Sequence, residues 1–387
     1  MLKKKMRAVA IGAVGLLLVM LVAGCGAKTE SNEIKVGANV ELTGNVASFG
    51  QSAYNGIKLA VKEINAKGGV LGKQLVLVSA DNRGESSEAV NAMTKLISQD
   101  KVKVVLGPIV SSNVIAAYKV AEENKIPVIT PTGTSAAITM ANGKVQDYAF
   151  RACFIDPFQG IVMANFAGKS LNAKTAAIYI DNSSDYAKGL AENFEKQFVA
   201  NGGQIVAREA YLSKDQDFKA TLTKLKASNP DVIFIPGYYQ EVGLIVKQAR
   251  ELGITGVLLG GDGWESPQLQ EIAGAAALNN CFYSNHYSAE DKDPKTVEFI
   301  EAFKKEYNQT PDCFAALGYD AVLMLVDAIT RANSDDPEKI KEALAKTQNI
   351  IGASGAISLN AQHDPVKSAV VLELKDGKPA FREKVNP

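Results

Sequence analysis

The sequence predicts an α/β protein of two similar lobes, each built on a parallel sheet. Three observations predict it. Short β-branched apolar runs alternate with longer segments of helical periodicity, the pattern of βαβ units. A second series of the same kind and size starts after Phe150. No low-complexity or Pro-rich stretch separates the two series, so short hinge segments join the lobes. The composition agrees: 47% apolar and 22% charged residues are ordinary for a globular chain, and 387 residues suit about two domains. Forty-two basic and 42 acidic residues balance, which excludes a basic nucleic-acid footprint and an acidic disordered tail.

In chain order, residues 34–40 read as a buried strand. Tyr54, Ile57, Leu59, Ala60, Val61 and Ile64 fall at helical spacing, and Lys67-Gly68-Gly69 stops that helix. Strands follow at 75–79, 102–106 and 126–130, with helices at 85–98 and 113–123 between them. In the second series, helices at 158–171, 186–199, 218–227 and 242–252 alternate with strands at 175–180, 204–210, 232–235 and 256–259. The tail changes style, with helices at 297–307, 315–332 and 338–346 before strands at 355–359 and 368–374. Such a tail completes both lobes and makes the chain cross between them several times.

Ahead of these elements lies an address. Lys3, Lys4, Lys5 and Arg7 precede an uncharged run from 8 to 24. A basic region, an apolar stretch and small residues before a cut describe a secretory signal, here 1–24. The run ends Leu21-Val22-Ala23-Gly24-Cys25, similar to the lipobox of bacterial lipoproteins, with Val22 where Leu is commoner. That similarity implies cleavage before Cys25, lipid on its thiol, and a soluble domain tethered outside the cytoplasmic membrane through a flexible segment, 25–33. The alternative is an uncleaved anchor, since about 17 residues is the shortest span of a bilayer. Loss of the four basic residues leaves 38 basic against 42 acidic, a net charge of −4. Cys153, Cys281 and Cys313 remain; an odd number admits at most one disulfide, and their spacing fits no zinc pattern. They read as small buried hydrophobes.

Catalytic chemistry is scarce. The sequence has no G-x-S-x-G elbow, no H-E-x-x-H and no Walker loop. Its two histidines, His286 and His363, read as surface or packing residues. Gly260-Gly261-Asp262-Gly263 lacks the spacing and following helix of a dinucleotide fingerprint. The chain therefore reads as a binding protein rather than an enzyme, with no cofactor or metal. Binding chemistry collects beyond the carboxyl ends of strands, where α/β sheets place ligands. Ser111 and Ser112 follow the 102–106 strand and either cap the next helix or hold an anion at its N-terminus. Pro131-Thr132-Gly133-Thr134-Ser135 follows the 126–130 strand and is either a polar cradle or a capped turn. Tyr186, Tyr238, Tyr239 and Asp262 follow strands of the second series. Asp262 either pairs with an ammonium or bonds its own backbone in a turn.

The order of these motifs resembles the leucine/isoleucine/valine-binding proteins of bacterial ABC importers, a type I periplasmic-binding-protein family. The resemblance spans nearly all of 34–374. It rests on Leu42-Thr43-Gly44 with Phe49-Gly50, and on Ile64-Asn65-Ala66-Lys67-Gly68-Gly69-Val70-Leu71-Gly72. Gly107-Pro108 with Ser111-Ser112, Ile126-Pro127-Val128-Ile129 with Thr132 and Thr134, and Gly318-Tyr319-Asp320-Ala321 complete it. It implies two Rossmann-like lobes with parallel central sheets and a three-crossing hinge. One lobe is 34–152 with 287–357, the other 153–286 with 358–387. It also implies a monomer that closes on an amino acid, branched-chain by the family's habit, and delivers it to an ABC permease. In the family, a serine and a following loop hold the ligand carboxylate and share its ammonium; these fall on Ser111, Thr132 and Thr134. The second lobe's acid and tyrosines fall on Asp262, Tyr238 and Tyr186, and an aromatic wall falls on Phe49. Members with branched-chain specificity often carry Glu where Asp262 stands, so the arm toward the ammonium is shorter here. Relatives also take amides, urea or aromatic acids, and a sensory role fits the same fold.

Overall fold

The computed structural model describes residues 32–386. The signal segment 1–24, Cys25 and most of the tether lie outside the described residues. β1 (Glu33–Val40), β2 (Gln74–Asp81), β3 (Val104–Leu106), β4 (Val128–Thr130) and β5 (Ala149–Arg151) form a parallel sheet in the order β2-β1-β3-β4-β5. Helices α1 (Ala47–Ala66), α2 (Ser86–Ser98) and α3 (Ser111–Glu123) connect its strands. The strand residues Val36, Ala38, Val104, Leu106 and Ile129 are buried, as strands covered by helices require.

The second sheet repeats this winding. Its β6 (Thr175–Asp181), β7 (Gln204–Tyr211), β8 (Val232–Phe234), β9 (Val257–Gly260) and β10 (Cys281–Asn285) run parallel in the order β7-β6-β8-β9-β10. Helices α4 (Asp156–Asn165), α5 (Asp185–Ala200), α6 (Lys219–Ala227), α7 (Tyr239–Glu251) and α8 (Pro267–Ala273) accompany it. The chain then returns to the first lobe as α9 (Pro294–Tyr307), α10 (Cys313–Ala332) and α11 (Pro337–Leu344), with α10 packed along α1. That packing is close enough that a Cβ on Gly318 would stand 2.2 Å from the Ala53 carbonyl oxygen. A hairpin of Ile350–Gly352 with Gly355–Ile357 precedes the return to the second sheet, where β11 (Ala369–Lys375) and β12 (Lys378–Val385) add antiparallel strands beyond β10. The chain thus crosses between lobes after β5, after β10 and before β11.

The two alternating series are the two like-wound sheets, and the differences from the sequence reading are local. The helix expected at 158–171 begins at Asp156 and ends as a π turn, Phe166–Ser170. The strand expected at 355–359 pairs in the hairpin instead of a main sheet. Strands β5, β10 and β12 had no clear pattern. β5 has three residues and contains Arg151, and β10 ends in Ser284 and Asn285. β12 is a charged edge strand with no buried position, as edges that avoid further pairing tend to be.

Candidate functional site

The strand order reverses between β1 and β3 in one sheet and between β6 and β8 in the other. Ligands of open α/β sheets sit beyond the carboxyl ends at such switch points. The two crevices here face each other across a single narrow cleft. Phe49, Ile109, Val110, Ser111, Thr132, Thr134 and Phe314 line it from the first lobe, and Tyr186, Tyr238, Asp262 and Gly263 from the second. All seven residues on which the family resemblance places the ligand site therefore surround one space. Ile109, Val110, Gly263 and Phe314 join them.

The turn after β3 is held from below. Gly107 has φ +90° and precedes a cis Pro108; a Cβ on Gly107 would stand 2.1 Å from the Asn39 carbonyl oxygen. Buried Glu41, just past β1, accepts the backbone N–H of Ile109 at 3.1 Å and of Val110 at 3.4 Å, and the Asn113 amide at 2.9 Å. Burial raises the Glu41 pKa, and these bonds oppose the rise. α3 begins at Ser111 without a side-chain cap. The Ser111 hydroxyl instead accepts the N–H of Ser135 at 3.1 Å, tying this turn to the next loop. Ser112 donates to Asp185 Oδ2 at 3.0 Å, a bond between the lobes.

The loop after β4 is held from behind. Arg151 is fully buried; its Nη1 donates to the Gly133 carbonyl at 2.8 Å and its Nη2 to the Ser135 carbonyl at 2.9 Å. Its Nε lies 2.8 Å from Asp364 Oδ1, on the third crossing. The guanidinium thus occupies loop carbonyls, while Thr132 and Thr134 face the cavity. Thr132 donates to the Ile109 carbonyl at 2.8 Å, locking the two loops together.

The second wall centres on Asp262. A 3₁₀ turn, Asp262–Trp264, carries it, and the buried Trp264 fixes that turn by donating Nε1–H to the Ile235 carbonyl at 3.0 Å. The Asp262 carboxylate does not fold back on its own backbone. Its Oδ1 accepts the Tyr186 hydroxyl at 2.8 Å and the Gln159 amide at 3.2 Å, and its Oδ2 is 2.9 Å from His286 Nε2. A carboxylate offers about four acceptor sites. Three donors leave about one for a further cation. Asp156, also buried, has its pKa raised to about 8 by burial, and the charge of Asp262 pushes the same way. His286 has its pKa lowered by burial. Near neutral pH Asp156 is therefore protonated and the His286 imidazole neutral.

The apolar part of the wall is aromatic. Phe49 stacks on Phe314 with centroids 4.2 Å apart and meets Tyr239 edge-on at 4.9 Å. Tyr186 and Tyr238 stack at 5.1 Å. Tyr239 supports this wall from behind rather than lining the cavity. His286 corrects the sequence reading: it is neither on the surface nor mere packing, but buried against Asp262. His363 is buried too, stacked on Phe150 at 4.4 Å. Glu41, Arg151 and Gln159 also escaped notice. Arg151 had a signal, as a lone charge within the apolar run Tyr148 to Phe154. Cys153, Cys281 and Cys313 are buried free thiols.

A sequence profile described as periplasmic binding protein matches residues 33–379. The chain belongs to this family. It is 32% identical over 333 residues to the Leu/Ile/Val-binding protein BraC3 of Rhizobium johnstonii, covering 86% of this chain and 89% of that one. The crystal structure of a leucine binding protein, LivK, from Thermotoga maritima matches with a TM-score of 0.87 at 40% identity, over 92% of this chain and 99% of that one. LivJ from Streptococcus pneumoniae, a branched-chain amino acid transporter substrate binding protein solved with isoleucine, matches with 0.87 at 39% identity, over 92% and 100%. The family resemblance read from the sequence motifs is borne out, and so is the two-lobed fold with parallel central sheets.

Proposed function

We propose that this periplasmic binding protein captures a branched-chain amino acid between its lobes and presents it to the permease of an ABC importer. The observation that carries this reading is the single cavity with opposed chemistry on its two walls. Hydroxyls of Ser111, Thr132 and Thr134 stand on one side, and the Asp262 carboxylate on the other. An α-amino acid brings a carboxylate for the hydroxyls and the N-terminus of α3, and an ammonium for Asp262. Phe49, Phe314 and Val110 offer an apolar surface to its side chain. The named ligands of BraC3, LivK and LivJ support the branched-chain choice.

The same reading places the protein outside the cytoplasmic membrane, as a monomer anchored by lipid on Cys25. Replacement of Cys25 by Ser should release it into the soluble extracellular or periplasmic fraction; retention in the membrane would contradict the anchor. Isothermal titration of residues 25–387 with individual amino acids tests the ligand class. Saturable binding of leucine, isoleucine or valine is the expected result. An absence of heat with every amino acid, together with binding of an aromatic acid or amide, would overturn it.

A further inference from the structure

We propose that His286 is the positioning residue for the ligand ammonium, aiming the Asp262 carboxylate and making its grip sensitive to protonation. This rests on the amino-acid reading of the cleft. His286 lies on the second crossing between lobes, directly after β10, so the ring that holds Asp262 belongs to the hinge. The imidazole is fully buried and stacks on Phe154 with centroids 3.7 Å apart, which fixes its plane. Its Nε2 approaches Asp262 Oδ2 at 2.9 Å, while Tyr186 and Gln159 occupy Oδ1. Each oxygen is therefore held separately, and His286 is the donor for Oδ2 among the described residues. For Nε2 to donate in the neutral ring, Nδ1 must be the bare nitrogen. Nδ1 is buried and has no hydrogen-bond partner among the described residues, in accord with that tautomer.

A proton on Nδ1 changes the chemistry without breaking the bond. The ring becomes a cation against Asp262, and the carboxylate's attraction for an ammonium is cancelled at short range. The surrounding groups set the direction. Asp262, on the turn after β9, favours the charged ring, whereas burial and Lys367 on the third crossing oppose it, and opposition wins. Asp156 on α4 is neutral near pH 7 because burial raises its pKa. His286 also lines a second cavity of about 360 Å³ at the hinge, together with Lys367, Asp291, Asp293 and Lys384. A bound ammonium depresses protonation of the ring further, so binding and protonation exclude one another. The sign follows: ligand affinity is full where the ring is neutral and declines only as pH falls through the ring's lowered pKa, beneath the ordinary histidine value, by at most about tenfold per unit.

The test is calorimetric titration of isoleucine into the wild type, His286→Gln and His286→Leu between about pH 5 and pH 8. Gln keeps an amide donor for Oδ2 and carries no titrating proton; Leu keeps bulk and removes the donor. Near pH 7.5, Gln should bind close to wild type and Leu about 10- to 100-fold more weakly. The acid decline of the wild type, on the acid side of the ordinary histidine range, should vanish in His286→Gln. Wild-type affinity in His286→Leu, or an unchanged acid decline in His286→Gln, would overturn the proposal. If His286→Leu does not fold, the comparison of wild type with His286→Gln still decides. If the wild type binds no amino acid, the ligand reading fails separately. The pairing is then read from the NMR titration of the His286 ring, whose pKa should fall further in Asp262→Asn and would stay unchanged if the pairing were incidental.

Discussion

At the scale of single residues, the cleft depends on which carboxyls are charged. Asp262 is bonded by a tyrosine, an amide and an imidazole, all donors that stabilise an anion. Asp262→Asn removes the charge while keeping shape. Amino-acid affinity should fall by about 2–5 kcal/mol, as when a buried charge pair loses one partner. Binding of a ligand without an ammonium should persist, so titration with an aromatic acid serves as the control. Asp156 behaves in the opposite way. Burial, then the Asp262 charge, raise its folded-state pKa to about 8, so the folded protein keeps a proton that the unfolded chain releases near 3.8. Its contribution to stability is full below 3.8 and is lost as pH rises toward about 8. Asp156→Asn should therefore gain melting temperature relative to wild type between about pH 5 and about pH 8. A difference that does not change with pH would show that Asp156 is already ionised.

At the scale of elements, two turns and one arginine shape the first wall. Arg151 ties β5 to the 133–135 loop and to Asp364 on the third crossing. Arg151→Met removes the cation that pairs with Asp364 and one donor from each of two loop carbonyls. Chemical denaturation should report a loss of about 3–5 kcal/mol, the usual cost of breaking a buried pair from one side. A loss under about 1 kcal/mol would mean that water replaces the guanidinium there. These supports mark where sequence reasoning stops. Strand ends could be read because apolar runs stop at Thr130, Ile180 and Gly260 near small or polar residues. Ser111, Thr132, Thr134 and Asp262 were legible because their loops follow those ends. Glu41 and Gln159 were not legible, because their partners lie 72 and 103 residues away. A charge or amide flanking a helix reads as solvent-facing until tertiary contacts show what it holds. His286 is the same case: nothing in Asn285-His286-Tyr287 announces a carboxylate donated from another loop.

At the scale of the whole molecule, two like-wound sheets meet at their switch points and the cleft lies between. The alternation of strand and helix carried that architecture, since periodicity is local and survives without knowledge of contacts. The final edge strand did not show, because β12 is mostly exposed and lacks a buried face. Bonds that join the lobes near the cleft include Ser112 to Asp185, Ser48 to Ser266 at 2.9 Å, the Cys313 N–H to Glu265 at 2.6 Å, the Asp156 N–H to the Thr134 carbonyl at 2.9 Å and the exposed pair Lys214 to Glu85 at 2.9 Å. A ligand that bridges both walls shifts the molecule toward the closed form by its differential affinity for that form. Small-angle scattering should show a more compact particle when isoleucine is added, and no change in Asp262→Asn. Identical profiles for the wild type with and without ligand would mean that closure does not depend on it. The central claim is that one carboxylate on one lobe and hydroxyls on the other grip the two ends of an amino acid. Calorimetric titration of branched-chain amino acids into the wild type and Asp262→Asn tests it most directly. Saturable 1:1 binding that is lost in Asp262→Asn is the predicted result. Binding that survives in Asp262→Asn, or no binding of any amino acid to the wild type, would contradict it.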